Sequence, residues 1–206
     1  GIGAHLYPAI RNARVEKRCD ISSARRQNTA RLRIGFFQNL GIDLGKYSGV
    51  GNGNGEYAEA ERLAVVHSAE ALRGAGLPCP SVSVGSTPTA HAAADLSGVT
   101  ELRAGVYVFF DLVMAGIGVC DVDDIALSVL STVIGHQEKQ GWILIDAGWM
   151  AMSRDRGTAN QVLDQGYGVV CDEAGNVLPD LIVIQANQEH GVVAVRPGSN
   201  GTLPDL

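Results

Sequence analysis

The segment PSVSVGSTPT, residues 80–89, decides the fold, because it reads as a short strand that leaves a proline and runs into a glycine turn. Residues 90–96 can then form a short helix. Glycine lets the backbone approach a ligand closely, hydroxyls donate hydrogen bonds, and a helix N-terminus presents N–H groups. We therefore predict that Gly85, Ser86 and Thr87 form an anion site. An ordinary Ser/Thr helix cap with proline in the first turn explains the same residues and stays open.

A second segment of the same kind follows at residues 101–107, ELRAGVY. Arg103, Gly105, Val106 and Tyr107 supply a cation, backbone amides and a phenol at the end of the next predicted strand. Adjacent strand ends of a parallel α/β sheet or barrel lie on one rim, where ligands bind. We therefore expect the two corners to be neighbours around one anion. Two alternatives stay open: Arg103 pairs with Glu101 or Asp111, and Tyr107 is a core residue whose hydroxyl is satisfied.

The residues before the first corner predict a helix that begins at Glu56 and ends near Gly74. Acidic residues crowd its first turns, where they suit the helix dipole, and Gly74, Gly76 and Pro78 supply a stop. The predicted apolar face consists of Tyr57, Ala60, Leu63, Ala64, Ala71 and Leu72.

After residue 121 the pattern indicates a β-domain, with the boundary near residues 116–124. β-Branched runs predict two long strands at 125–134 and 142–146. Shorter strands are predicted at 167–171, 181–185 and 192–195, joined by turns such as 172–176. We read this half as mostly antiparallel. Residues 1–55 have no lasting period and end in GVGNGNG, so we expect an atypical, poorly packed basic segment.

Composition narrows the class of protein. The first 46 residues hold nine basic and three acidic residues, a formal charge of +6, whereas the rest holds seven basic and nineteen acidic residues, −12. Aromatic residues do not interleave with the arginines, so we expect no nucleic-acid role.

No apolar run is long enough to cross a bilayer and no ordinary secretory signal begins the chain, which predicts a soluble protein without a membrane partner. The four cysteines form no CxxC pair, which favours reduced thiols and a cytoplasmic location.

The histidines, the lysines and the Asp146-Ala147-Gly148 segment are the other candidates for chemistry. None of the five histidines has a recognised metal spacing, although Glu189 and His190 are adjacent. That pair either holds an imidazole tautomer or belongs to a polar β-turn. Lys17, Lys46 and Lys139 lie in polar settings that would not lower the pKa of a Schiff-base lysine. We read Asp146-Ala147-Gly148 as a strand end and a turn, and we assign no catalytic or metal-ligating residue in this chain.

In their order, four segments resemble the C-terminal part of the D-threonine aldolase and D-serine dehydratase family, pyridoxal-phosphate enzymes of the alanine-racemase type, fold type III. These segments are residues 81–89, 101–109, 146–148 and 188–191. The resemblance implies the end of a β/α (TIM-type) barrel at 56–120 and a truncated β-domain at 121–206. It also implies that Gly85, Ser86, Thr87, Gly105 and Val106 hold the cofactor phosphate, with Arg103 and Tyr107 near the ring or phosphate.

By the same resemblance, the parent enzyme is a lyase that cleaves or dehydrates D-β-hydroxy-amino acids, with a divalent metal at the substrate hydroxyl. A homodimer is one option for its assembly. The family's lysine context is not found in this sequence, and its metal-ligand segment would follow residue 206. Residues 1 to about 50 do not match the barrel, which suits a truncated or frameshifted gene. We therefore expect a fragment that is inactive alone. The rival hypothesis is a non-catalytic phosphate-binding or interaction module.

Overall fold

The computed structural model of the chain describes residues 31–35 and 53–204. Its strands are β1 (Arg31–Gly35), β2 (Ser83–Val84), β3 (Glu101–Leu102), β4 (Ser128–Gln137), β5 (Trp142–Ile145), β6 (Val169–Cys171), β7 (Val177–Ala186) and β8 (Gly191–Val195). Its α-helices are α1 (Gly53–Gly74), α2 (Thr87–Ala92) and α3 (Leu112–Gly116), and 3₁₀ turns occupy 106–108, 122–124 and 138–140. In the described part of the chain, each helix is too short or too polar to cross a lipid bilayer.

The first half has the strand, glycine turn and helix order that the sequence predicts. β2 and β3 pair in parallel, with Ser83 opposite Glu101 and Val84 opposite Leu102. α2 follows β2 after two residues, and α1 packs against both elements. The second half is antiparallel throughout its described pairings. The predicted fold class, the end of a β/α barrel followed by a mostly antiparallel β-domain, is therefore confirmed.

Helix α1 forms as predicted, but the prediction of its buried face is wrong. The buried residues are Ala58, Val66 and Ala69, and the last two form a cluster with Val82 of the segment before β2. The predicted apolar residues Tyr57, Leu63 and Leu72 are exposed instead, at 41%, 37% and 43%. The helix carries apolar or small residues on two sides, so its period does not choose between them. Packing against Val82 determines which face of α1 is buried.

The β-domain is a closed barrel of the described strands in the order β1-β4-β5-β8-β7-β6. β1 fills the gap between β4 and β6, where Arg33 lies opposite Leu130 on one side and Cys171 on the other. This strand falls within the segment that we expected to be poorly packed. Its alternating residues RLRI are too few to stand out as a period, and its pairing partners are remote in sequence. The domain boundaries themselves stay a prediction.

Two apolar clusters hold the barrel and attach it to the first half. The barrel interior is filled by buried side chains from β5, β6, β7 and β8, namely Ile143, Ile145, Val170, Leu181, Val183 and Val193, together with Ala147 and Met152. A second cluster joins α3 to β6, because Leu112, Val113 and Met114 pack with Val169 and Cys171. The helix that follows the second corner is therefore fixed on the barrel.

The segments 146–148 and 187–191 meet at one end of the barrel. Trp149 N–H donates to the Asn187 carbonyl at 2.7 Å, and Met150 N–H donates to the Gln188 carbonyl at 3.2 Å. A Cβ on Gly148 would lie 2.2 Å from the Asn187 carbonyl oxygen and 2.5 Å from that of Gln188. Only glycine lets these two turns pack so closely.

We expect Gly148→Ala to destabilise the barrel, since its Cβ would meet backbone oxygens that cannot move aside without shifting the β7–β8 turn. The free energy of unfolding in urea should fall by about 1–3 kcal/mol, the usual cost of overpacking. Gly135→Ala is the matched control, because a Cβ there meets nothing closer than Leu144 Cδ1 at 3.8 Å. Equal stability of the two variants would contradict the close packing of the turns.

Candidate functional site

The two corners predicted to share one rim lie side by side. The parallel pairing of β2 and β3 continues past the strands, because Arg103 N–H donates to the Val84 carbonyl at 2.8 Å. Each strand then ends at its own corner, at residues 85–87 and 103–107. The adjacency on which the anion-site hypothesis depends is therefore present in the structure.

Gly85 is the closest point of approach between the corners. It has a φ of +122°, and a Cβ at this position would lie 2.4 Å from the Arg103 carbonyl oxygen and 2.9 Å from its nitrogen. Both the backbone angle and the contact exclude a side chain here. The first corner can therefore turn directly over the second only with glycine at position 85.

A hydrogen bond joins the corners a second time. The Val106 N–H donates to Thr87 Oγ1 at 3.1 Å, and Thr87 is 2% exposed. This bond uses the Val106 amide that was predicted to bind the anion. It leaves the Thr87 hydroxyl proton available as a donor, since a hydroxyl can accept and donate at the same time.

Other backbone amides of the first corner are also occupied from within the protein. Ser86 N–H donates to Thr89 Oγ1 at 3.1 Å, and the two hydroxyls of these residues lie 3.1 Å apart. This is the helix-cap alternative left open by the sequence, and it is present. The Gly85 N–H donates to Glu61 Oε1 of α1 at 2.9 Å. Within residues 53–204, the N–H groups of Thr87 and Gly105 have no hydrogen-bond acceptor.

Arg103 lies on the exposed side of the second corner. Its guanidinium donates to the Ser83 hydroxyl, and that hydroxyl donates to Glu101 Oε1 at 2.7 Å. The side chain thus reaches Glu101 only through Ser83, and Asp111 instead caps α3 by accepting from Met114 N–H at 2.8 Å. Tyr107 is 47% exposed, so it is not the core residue that the alternative supposed.

The remaining candidates lie apart from this rim. Glu189 and His190 belong to the β7–β8 turn, where His190 Nε2 pairs with Asn187 Nδ2 at 3.1 Å and Glu189 accepts from Gln188 at 3.2 Å. The polar-turn alternative therefore describes them. Lys139 is exposed in the β4–β5 connection, and Lys17 and Lys46 lie outside the described residues.

No metal site is evident among the described residues, since no three histidine, cysteine or acidic side chains cluster there as ligands would. Burial first, and then nearby carboxylates led by Asp124, raise the pKa of Cys120 to about 12. This thiol is therefore protonated at neutral pH and is a poor nucleophile.

Sequence reasoning missed Glu61 as a residue of this site. The sequence places it among acids that suit the positive end of the helix dipole, and its partner Gly85 is 24 residues away. No local sequence pattern predicts a contact between a helix side chain and the amide of a glycine that is distant in sequence. Only the packing of α1 against β2 brings the two together.

The donor set matches a phosphate group better than it matches a metal or a planar ring. Two unused amides (Thr87 and Gly105), the hydroxyls of Ser86 and Thr87, and the Arg103 cation all belong to the two adjoining corners. Phosphate is commonly bound by such backbone amides, hydroxyls and arginines. The absence of a Cβ on Gly85 lets the Arg103 backbone lie against it, so the two corners that carry these donors are in direct contact.

Comparison with known proteins finds relatives that share both halves of the described chain. The serine dehydratase domain family matches residues 126–205. D-threo-3-hydroxyaspartate dehydratase from Delftia sp. (strain HT23) is 67% identical over 142 residues, which are 69% of this chain and 37% of that protein. D-threonine aldolase from Arthrobacter sp. is 31% identical over 153 residues, covering 72% of this chain and 35% of the aldolase.

Solved structures give the same result. The Delftia dehydratase superposes with a TM-score of 0.68 at 58% identity, over 76% of this chain and 41% of its own. An alanine-racemase-like protein from Idiomarina loihiensis superposes with a TM-score of 0.67 at 47% identity, over 76% and 42%. The chain thus spans less than half the length of the relatives it matches.

We expect Thr87→Val to separate the corners, because it removes the acceptor of the Val106 amide while keeping the shape of the side chain. An unpaired buried donor costs about 1–3 kcal/mol, which urea unfolding would register. Hydrogen exchange of the Val106 amide should accelerate in the same variant. Thr87→Ser keeps the hydroxyl and serves as the control; if it behaved like Thr87→Val, the bridging bond would not be what joins the corners.

Proposed function

This chain matches the C-terminal part of the D-serine dehydratase and D-threonine aldolase family, and on that premise we propose that its two corners hold the phosphate of pyridoxal phosphate. The parent activity proposed is that of a lyase on D-β-hydroxy-amino acids, by dehydration or aldol cleavage. The observation that carries the proposal is the contact of the corners at Gly85, with unused donors on both sides of it. The high identity to the Delftia dehydratase favours dehydration of a 3-hydroxy amino acid.

Each corner residue has a distinct part in this proposal. The Thr87 and Gly105 amides, with the Ser86 and Thr87 hydroxyls, bind phosphate oxygens directly. Gly85 permits the close turn, and Val106 fixes the second corner by its bond to Thr87. Arg103 is exposed and held by Ser83, which suits a cation that approaches the phosphate from the solvent side.

Pyridoxal phosphate supplies an electron sink for the negative charge that develops on a substrate carbon. The residues of the two corners bind and orient its phosphate and take no part in proton transfer. Lys139 is exposed in a barrel connection, which does not suit an attachment lysine, and Lys17 and Lys46 lie outside the described residues. A divalent metal belongs to the proposal for the whole enzyme, and one solved form of the Delftia dehydratase is described as metal-free, which fits a protein that binds one.

We also propose a cytoplasmic location. Cys79 and Cys120 are free thiols among the described residues. Free cysteines are usual in reducing surroundings, which favours a cytoplasmic protein.

A second candidate function is a phosphate-binding or interaction module without catalysis. It is favoured by one observation: the described residues contain the phosphate donors, yet the one described lysine is remote from them. The two candidates differ in turnover and not in phosphate binding, so they need separate experiments.

For the phosphate site, we expect the Thr87 and Gly105 amide resonances to shift when the chain is titrated with inorganic phosphate or pyridoxal phosphate, at constant ionic strength. Binding should be weak, in the millimolar range. Arg103→Gln should weaken it by about 1 kcal/mol, roughly fivefold. Arg73→Gln removes an exposed arginine that binds the Cys79 carbonyl and is the charge-matched control. Shifts that avoid both corners would overturn the site.

For turnover, we expect the 206-residue chain to neither dehydrate D-threo-3-hydroxyaspartate or D-serine nor cleave D-threonine when cofactor and divalent metal are supplied. The reason is that Lys139 is exposed in a barrel connection and that Lys17 and Lys46 lie in polar sequence settings, which do not favour a Schiff-base lysine. Product formation would be followed by coupled assays for ammonia and for glycine. Measurable turnover would show that the chain is an active enzyme, and it would contradict both the expected inactivity of the chain alone and the candidate module without catalysis.

A further inference from the structure

We propose that Glu61 of α1 is a positioning residue for the phosphate corner, an inference that rests on the proposed function. Glu61 Oε1 accepts the Gly85 N–H at 2.9 Å and is half-buried. Within the described residues, no cation pairs with this carboxylate. It is therefore an acidic side chain turned toward a corner that is proposed to bind an anion, where its charge alone would be unfavourable.

The position of the Glu61 carboxylate lets it restrain the Gly85 backbone, a role that does not follow from its charge. Gly85 is held from both sides: the Arg103 backbone lies against its Cα, and Glu61 accepts its N–H. A glycine has the widest choice of backbone angles, so a φ of +122° needs such restraints to be kept. A hydrogen bond to an ionised acceptor is roughly twice as strong as one between neutral groups.

The helix that carries Glu61 is itself well placed for this task. Val66 and Ala69 of α1 are buried with Val82, the residue directly before β2. The next residue, Arg62, forms salt bridges with Glu59 at 2.7 Å and with Asp95 at 3.3 Å, and it donates a hydrogen bond to the Ser97 carbonyl at 2.9 Å. The helix is thus fixed on both the strand and the segment after α2, so Glu61 reaches Gly85 from a rigid support.

The inference can be tested because a charge effect and a positioning effect of Glu61 predict opposite changes in phosphate affinity. If Glu61 acted only through its charge, Glu61→Ala would remove a nearby negative group and tighten phosphate binding. If Glu61 positions the corner, Glu61→Ala weakens binding because Gly85 loses its restraint. We expect the dissociation constant for inorganic phosphate, measured from the Thr87 and Gly105 amide shifts, to rise about tenfold.

Two further variants make the result specific. Glu61→Gln keeps an oxygen acceptor without the charge and should restore most of the affinity, whereas Glu70→Ala, on an exposed site of the same helix, should change nothing. Hydrogen exchange at the Gly85 amide should accelerate in Glu61→Ala and not in Glu70→Ala. Tighter binding in Glu61→Ala, or unchanged exchange at Gly85, would overturn the inference.

The exchange measurement separates this inference from the proposed function. If the unmodified chain bound no phosphate at the corners, the proposed function would fail, and the role of Glu61 toward phosphate would fail with it. Acceleration at Gly85 in that case would still show that Glu61 fixes the corner. If the unmodified chain bound phosphate and Glu61→Ala bound it equally well, only the inference about Glu61 would fail.

Discussion

The contact between Gly85 and the backbone of Arg103 is the constraint on which the site depends. Two short parallel strands, each of two residues, would place their ends near each other without fixing the chain beyond them. The missing Cβ at position 85 lets the first corner lie directly on the second. From there, the Thr87 hydroxyl reaches the Val106 amide and the pairing of the strands is carried into the loops.

Five amides of the two corners fall into two groups by their hydrogen bonds. Those of Gly85, Ser86 and Val106 are satisfied by side chains of the protein, whereas those of Thr87 and Gly105 have no acceptor among the described residues. The first group holds the backbone in place, and the second is available for a ligand. In the proposed phosphate site, the corners would thus be organised before the ligand arrives, so less binding free energy would be lost to ordering the loops.

The sequence predicts the corners better than it predicts their internal bonding. A strand, a glycine turn and a helix, followed at once by a second strand, imply neighbouring corners because successive parallel strands share a rim. Residue types do not reveal that the Val106 amide pairs with Thr87 or that Glu61 reaches Gly85, since both contacts join residues about twenty positions apart. The buried face of α1 and strand β1 were missed for a related reason: partners distant in sequence select them. Local hydrophobic periodicity does not predict partners that are distant in sequence.

The charge of the chain shows why composition gives no signal for this site. Residues 47–206 carry a formal charge of −12, which by itself argues against binding an anion. The donors at the corners are mostly neutral amides and hydroxyls, with one arginine, and these act over hydrogen-bond distances. Because salt screens exposed charges beyond about 10 Å, the acidic surface elsewhere has little effect at the corners. Glu61, an acid in contact with the first corner, accepts the Gly85 amide, so we expect its position to affect the corner more than its charge does.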